Sequence, residues 1–183
     1  MLFRSIVATG ARPIAPWWAP PDSAIPIVDV RDVLTGQAAP IGTVIIFDEL
    51  GFHQATSVAE LLADRGCSVE VVTPGMVVGQ DLGVTLDIEQ WWMRATAKAI
   101  AVTTDTLITG VDGSEALLMH HPTGREDRRR IDSLVLAIQQ APVDELYFAC
   151  RAAGLSVHRV GDCVTPRRAH AAVIDGQRVG ESL

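Results

Sequence analysis

Two adjacent residues, Gly161 and Asp162, carry the clearest chemistry in this 183-residue sequence. They stand where a strand-length run, residues 156–160, ends and helix-start signals begin. Thr165 suits an N-cap, Pro166 suits the first helical position, and residues 169–179 are mostly small or apolar. Ligands of open α/β sheets sit outside the carboxyl ends of the strands. A carboxylate placed there accepts hydrogen bonds from the hydroxyls of ribose or ribitol. The unpaired N–H groups that open the next helix, with its dipole, suit a pyrophosphate or an electron-rich ring oxygen. Arg167 and Arg168 add positive charge nearby. The alternative is that Asp162 only caps a turn. Ala8-Thr9-Gly10 is a second, weaker case: small residues at a strand end let a ligand approach the backbone.

The turn after residues 43–47 (TVIIF) is instructive for what it lacks. A dinucleotide fingerprint needs G-x-G-x-x-G/A at such a turn. Aligned on the following helix, its three positions are Leu50, Phe52 and Ala55, and only the last is small. Asp48 and Glu49 add like charge, and the next strand ends in Thr73-Pro74 with neither an acid for a ribose 2′-hydroxyl nor an arginine for a 2′-phosphate. The shape is that of a nucleotide-binding unit without its chemistry, so NAD(P) binding is doubtful. Neither G-x-S-x-G nor G-x-x-x-x-G-K-[ST] occurs. Cys67, Cys150 and Cys163 lack C-x-x-C or C-x-x-H spacing, so no metal is expected. The pair His120-His121, without carboxylate or cysteine spacing, does not read as a metal site; His53 reads as a surface residue, and residues 126–130 (EDRRR) as a solvated charged turn.

The elements that must position these residues follow from apolar patterning. Residues 6–10 (IVATG) form a short strand; residues 11–26 are a proline-rich connector in which Trp17 and Trp18 are expected to cover an apolar surface, the alternative being to stack on a ligand. Residues 28–34 are a short helix or turn, and residues 36–42 a candidate boundary. Strand 43–47, helix 55–65 closed by Gly66, and strand 68–72 make a right-handed βαβ unit. Asp87 and Gln90 fit a capping box, opening a helix whose stripe is Ile88, Trp91, Trp92, Ala95 and Ala99. Residues 106–138 read as a small antiparallel meander, 143–153 as a helix, and 156–160 as a last strand. IVATGARP and LVLAIQQAP (134–142) echo one another, as two related half-domains would.

Composition narrows the partners. A net charge of −7 argues against nucleic acid or an anionic membrane surface. No window approaches 18 uninterrupted apolar residues, and an odd count of scattered cysteines suits a reducing compartment, so a cytoplasmic location is expected. A strand like residues 6–10 is usually interior to a fold. That predicts that Met1 is not a biological start and that residues 1–5 are foreign; the alternative is an edge strand that opens a small domain.

Three segments, IVATGARP, GFHQATSVAELLADRGCSVEVVTPGMVVGQDLG and VHRVGDCVTPRRAHAAVIDG, together resemble the C-terminal part of old-yellow-enzyme-like flavoenzymes. This subclass includes trimethylamine and dimethylamine dehydrogenases and 2,4-dienoyl-CoA reductases, and the resemblance runs from Ile6 almost to the end. It implies a Rossmann-like α/β fold of two nested nucleotide-binding domains: an outer one for FAD or ADP, and an inner one for NAD(P)H where the enzyme uses it. Residues 1–41 and 143–183 would be pieces of the outer domain and residues 42–142 the inner domain. Ala8, Thr9, Gly10, Gly161 and Asp162 would contact the nucleotide, and the helix start at Ala169 would face the ring. The FMN barrel with its iron–sulfur (4Fe-4S) cluster, and the outer domain's glycine fingerprint, have no counterpart in this sequence. The expectation is therefore a fragment, inactive alone, whose partner is the missing N-terminal barrel of a parent oxidoreductase, with no catalytic residue of its own. The rivals are a self-standing NAD(P)H-binding reductase domain and a non-enzymatic interaction module.

Overall fold

The structure is a computed structural model that describes residues 4–183. In chain order its elements are β1 (Ser5–Val7), β2 (Ala11–Arg12), β3 (Ile27–Asp29), α1 (Val30–Thr35), β4 (Thr43–Asp48), α2 (His53–Asp64), β5 (Ser68–Val72), α3 (Ile88–Ala97), β6 (Ala101–Thr103), β7 (Thr106–Asp112), β8 (Glu115–His120), β9 (Arg125–Arg130), β10 (Ser133–Ala137), β11 (Ala141–Pro142), α4 (Glu145–Ala152), β12 (Val157–Arg159) and α5 (Ala169–Ser182). A 3₁₀ segment, Gln80–Thr85, precedes α3, and another, Gly161–Cys163, follows β12. Of residues 1–5, expected to be foreign, residues 1–3 lie outside the described residues, and Ser5 opens β1.

The chain forms two compact units: Ala15–Ile138, and residues 4–14 together with Gln139–Leu183. The larger is built on a parallel sheet in the order β3-β10-β4-β5-β6. Its central strands are apolar on both faces because both faces are covered. Val44 and Ile46 of β4 point to α1, α2 and α3, where Val33, Val58, Leu62 and Trp91 are buried. Ile45 and Phe47 point the other way, onto Ile108, Ala116 and Leu118 of an antiparallel meander β7-β8-β9. Alternation along a single strand thus serves two cores.

The βαβ expectation holds. β5 has the expected bounds, and Gly66 follows α2 at φ 87°, with the Gly66 and Cys67 N–H groups donated to the Ala63 and Leu62 carbonyls. Other expectations need correction. Residues 133–137 are not part of the meander; they form β10, wholly buried between β3 and β4. Residues 125–130 are not a turn but β9, the exposed edge of the meander, where charge discourages pairing with another chain. Asp87 makes no capping bond with its side chain, because its carboxylate takes Arg94 at 3.3 Å, and Arg94 also holds Glu60 at 2.8 Å. Ala99 lies beyond α3 in a left-handed conformation, and Ile100 is buried instead. Trp18 does cover apolar surface, edge-on to Phe47, whereas Trp17 is exposed.

The two compact units divide near residues 14 and 138. The cause is β3, which pairs with β10 and brings residues 27–35 into the larger unit. In the smaller unit β1 and β12 pair in parallel, and β2 and β11 pair antiparallel, so the two echoing segments meet through their turn-and-proline ends. Among the described residues, no helix is long and apolar enough to cross a membrane.

Candidate nucleotide-binding site

The site residues of the smaller unit are set by one register. Ser5, Ile6 and Val7 stand beside Val157, His158 and Arg159, and the Val160 N–H donates to the Val7 carbonyl at 3.0 Å. Both strands therefore end at the same level, Ala8-Thr9-Gly10 continuing from one and Gly161-Asp162 from the other. Beneath them Val7, Val157 and Cys163 are buried, and the Cys163 thiol donates to the Val7 and Val160 carbonyls.

Ala8 and Thr9 are exposed and Gly10 is half-buried. The Thr9 hydroxyl donates to the Val143 carbonyl, and the Gly10 carbonyl accepts the Val143 N–H at 2.9 Å. Gly10 has φ 78°, and no atom lies within 4 Å of where a Cβ would stand, so its backbone is open to a ligand. Asp162 is half-buried, and its Oδ1 accepts the Arg167 N–H at 3.1 Å. Thr165 gives its hydroxyl to the Val164 carbonyl rather than capping a helix, and α5 begins at Ala169 behind Arg168. Ala169 rather than Pro166 is thus the first helical residue, and it is exposed.

Gly161 has φ 70°, and an added Cβ would meet the Ala172 methyl at 3.3 Å; its N–H donates to Asp175, which Arg167 also holds. Gly161→Ala should therefore cost about 1–2 kcal/mol from the left-handed backbone alone, with more from displacing α5. The measurement is the urea midpoint of the smaller unit's transition; an unchanged midpoint would contradict this account.

At the carboxyl end of β4 the larger unit contains a group that reading the sequence missed. Asp48 is fully buried. Its Oδ1 accepts the Leu50 N–H at 3.0 Å and the Gly51 N–H at 2.9 Å, while Oδ2 has no partner among the described residues. Burial pushes this carboxyl up to about 6, against those two hydrogen bonds, and the neighbouring charge of Glu49 adds to the rise. The available signal was an aspartate at a strand end with glycine three residues on, which suits a side chain turned back on its own loop. Leu50 and Phe52 pack partly buried against the helical core, and Ala55 is fully buried. His53 and Thr85 approach at 3.4 Å, and His121 meets the Pro74 carbonyl at 3.0 Å.

No family model matches the chain. It is 27% identical to an N,N-dimethylglycine/sarcosine dehydrogenase from Chromohalobacter salexigens, over 95% of this chain and 30% of that one. It is 26% identical to a multifunctional alkene reductase/demethylase OYE from Caballeronia cordobensis, over 82% of this chain and 27% of that one. The solved 6-hydroxypseudooxynicotine amine oxidase of Pseudomonas geniculata N1 superposes with a TM-score of 0.83 at 30% identity, covering 96% of this chain and 28% of that one. The chain is related to the old-yellow-enzyme-like flavoenzymes.

It spans less than a third of each of these three relatives. Kinship with flavoenzymes gives the two strand ends of the smaller unit a chemical context. For a FAD or ADP tail the residues present fit in kind, with an acceptor carboxylate at Asp162 for a sugar diol and open backbone at Gly10 for close approach.

Proposed function

We propose that this chain supplies the C-terminal nucleotide-binding portion of an old-yellow-enzyme-like oxidoreductase of the amine dehydrogenase or enoate reductase type. In this reading the smaller unit holds the dinucleotide or ADP tail. Ala8, Thr9 and Gly10 lie along the pyrophosphate, Gly161 and Asp162 receive the sugar, and the start of α5 at Ala169 faces the ring. The larger unit is the nested inner domain. A bound flavin supplies hydride or electron transfer, and this chain's own residues only bind and orient it. The FMN, the 4Fe-4S cluster and the substrate site belong to the barrel of the parent polypeptide, and the chain has no turnover alone. A reducing, cytoplasmic setting suits its three free thiols.

One observation carries the reading: the parallel register that pairs Val7 with Arg159, so that the small residues and the carboxylate leave the sheet side by side. The test is calorimetric titration of the chain with ADP and with FAD. Saturable binding of at least one is expected. Asp162→Ala, which removes a charged acceptor, should weaken it by about tenfold or more. Equal affinity in the variant, or no binding of either nucleotide, would defeat the proposal.

A further inference from the structure

The family resemblance implies a nicotinamide dinucleotide in the larger unit where an enzyme uses one, and the residues at its mouth do not fit one. We infer that Asp48 is an internal ligand of the turn after β4, and that it closes this mouth against NAD(P)H. In a working dinucleotide fold, free N–H groups of this turn and the following helix meet the pyrophosphate. Here the Leu50 and Gly51 N–H groups are both donated to one carboxylate oxygen of the buried Asp48, so neither is left for a ligand's anion.

The closure has several independent parts. The sheet's strand order reverses between β4 and β10, and there the Glu49 N–H is bonded to the Ala137 carbonyl at 3.0 Å. On the other side the Thr73 hydroxyl donates to the Asp48 carbonyl at 2.7 Å and accepts the Gly75 N–H at 3.1 Å. The 3₁₀ segment before α3 is tied across the turn by the Asp81 N–H, donated to the Gly51 carbonyl at 2.9 Å. A cleft of about 150 Å³ remains, lined by Glu49, Gly51, Thr73, Gln80 and Asp81 among others. Pockets that take drug-sized ligands are usually about 300–1,000 Å³, larger than this cleft. Both charged residues of that lining are acidic, which opposes a pyrophosphate by repulsion.

The test follows backbone amide resonances of the full chain by ¹⁵N NMR, read at Leu50 and Gly51, which belong to the larger unit, so that binding in the smaller unit is told apart. Millimolar NADPH should leave the Leu50 and Gly51 resonances unmoved. In Asp48→Ala both amides should exchange with solvent at least tenfold faster. If that variant does not fold, small temperature coefficients of the two amides in the unsubstituted protein carry the same information. A saturable NADPH shift at Leu50 or Gly51 would overturn the inference. So would unchanged exchange in Asp48→Ala, or large temperature coefficients in the unsubstituted protein.

Discussion

Acidification should stabilise the larger unit through Asp48, and Asp48→Asn should remove that gain. The group's ordinary value is 3.8, and burial first of all lifts it to about 6 in the fold. The folded state therefore binds the proton more tightly than the unfolded chain does. Its contribution is complete below 3.8 and is lost as pH rises through about 6. At 1.36 kcal/mol per pH unit, the gap corresponds to about 3 kcal/mol, of which roughly 2 kcal/mol separates pH 8 from pH 4. Exposed pairs act in the opposite sense. Arg129 holds Asp127, and Arg12 holds Glu145, below the usual carboxylate range, so those pairs lose stability as pH falls. Comparing the variant with the parent at each pH cancels them. Asn keeps an acceptor oxygen for Leu50 and Gly51, so the turn itself survives. Urea unfolding at pH 8 and pH 4 gives the answer: the two proteins should differ in pH dependence by about 2 kcal/mol, and parallel curves would show that Asp48 does not titrate as described.

Trp91→Ala should cost more. Trp91 is the largest fully buried side chain, at 1% exposure, and it fills the space between α3 and α2. Its indole N–H donates to the Thr56 carbonyl at 3.3 Å, and its ring meets Trp92 edge-on at 5.3 Å. Removing it leaves a cavity, at about 3–5 kcal/mol, which lowers the melting temperature of the larger unit by roughly 10 °C. Trp91→Phe keeps most of the volume and loses the hydrogen bond, so it should cost about 1–2 kcal/mol. A loss under about 1 kcal/mol for the alanine variant would mean that α3 does not seal the sheet.

The β4-α2-β5 unit was legible because its signals are local: an apolar run, a helical stripe and a glycine at the stop. β10 was not. Its SLVLA run is equally apolar, but its partners Ile27–Asp29 and Thr43–Asp48 are remote in sequence, and nothing in five apolar residues states a parallel register. The capping box at Asp87 failed for a different reason: Arg94, about two turns further along α3, competes for the carboxylate. The place of Gly161-Asp162 between a strand and a helix was legible from their succession, while the start of that helix at Ala169 rather than behind Thr165, and the Arg167 N–H bonded to Asp162, depend on a 3₁₀ turn that composition does not encode. Asp48 was read only as charge, because whether a strand-end carboxylate turns outward or back onto its loop is decided by what lies above it.

The central claim is that Asp162 and Ala8–Gly10 form one face of a nucleotide site. Crystals of the chain grown with ADP test it most directly. The ribose hydroxyls should lie within hydrogen-bond distance of the Asp162 carboxylate, with the pyrophosphate along Ala8-Thr9-Gly10. ADP seated instead at the Glu49–Gly51 turn, or bound with Asp162 untouched, would contradict the account.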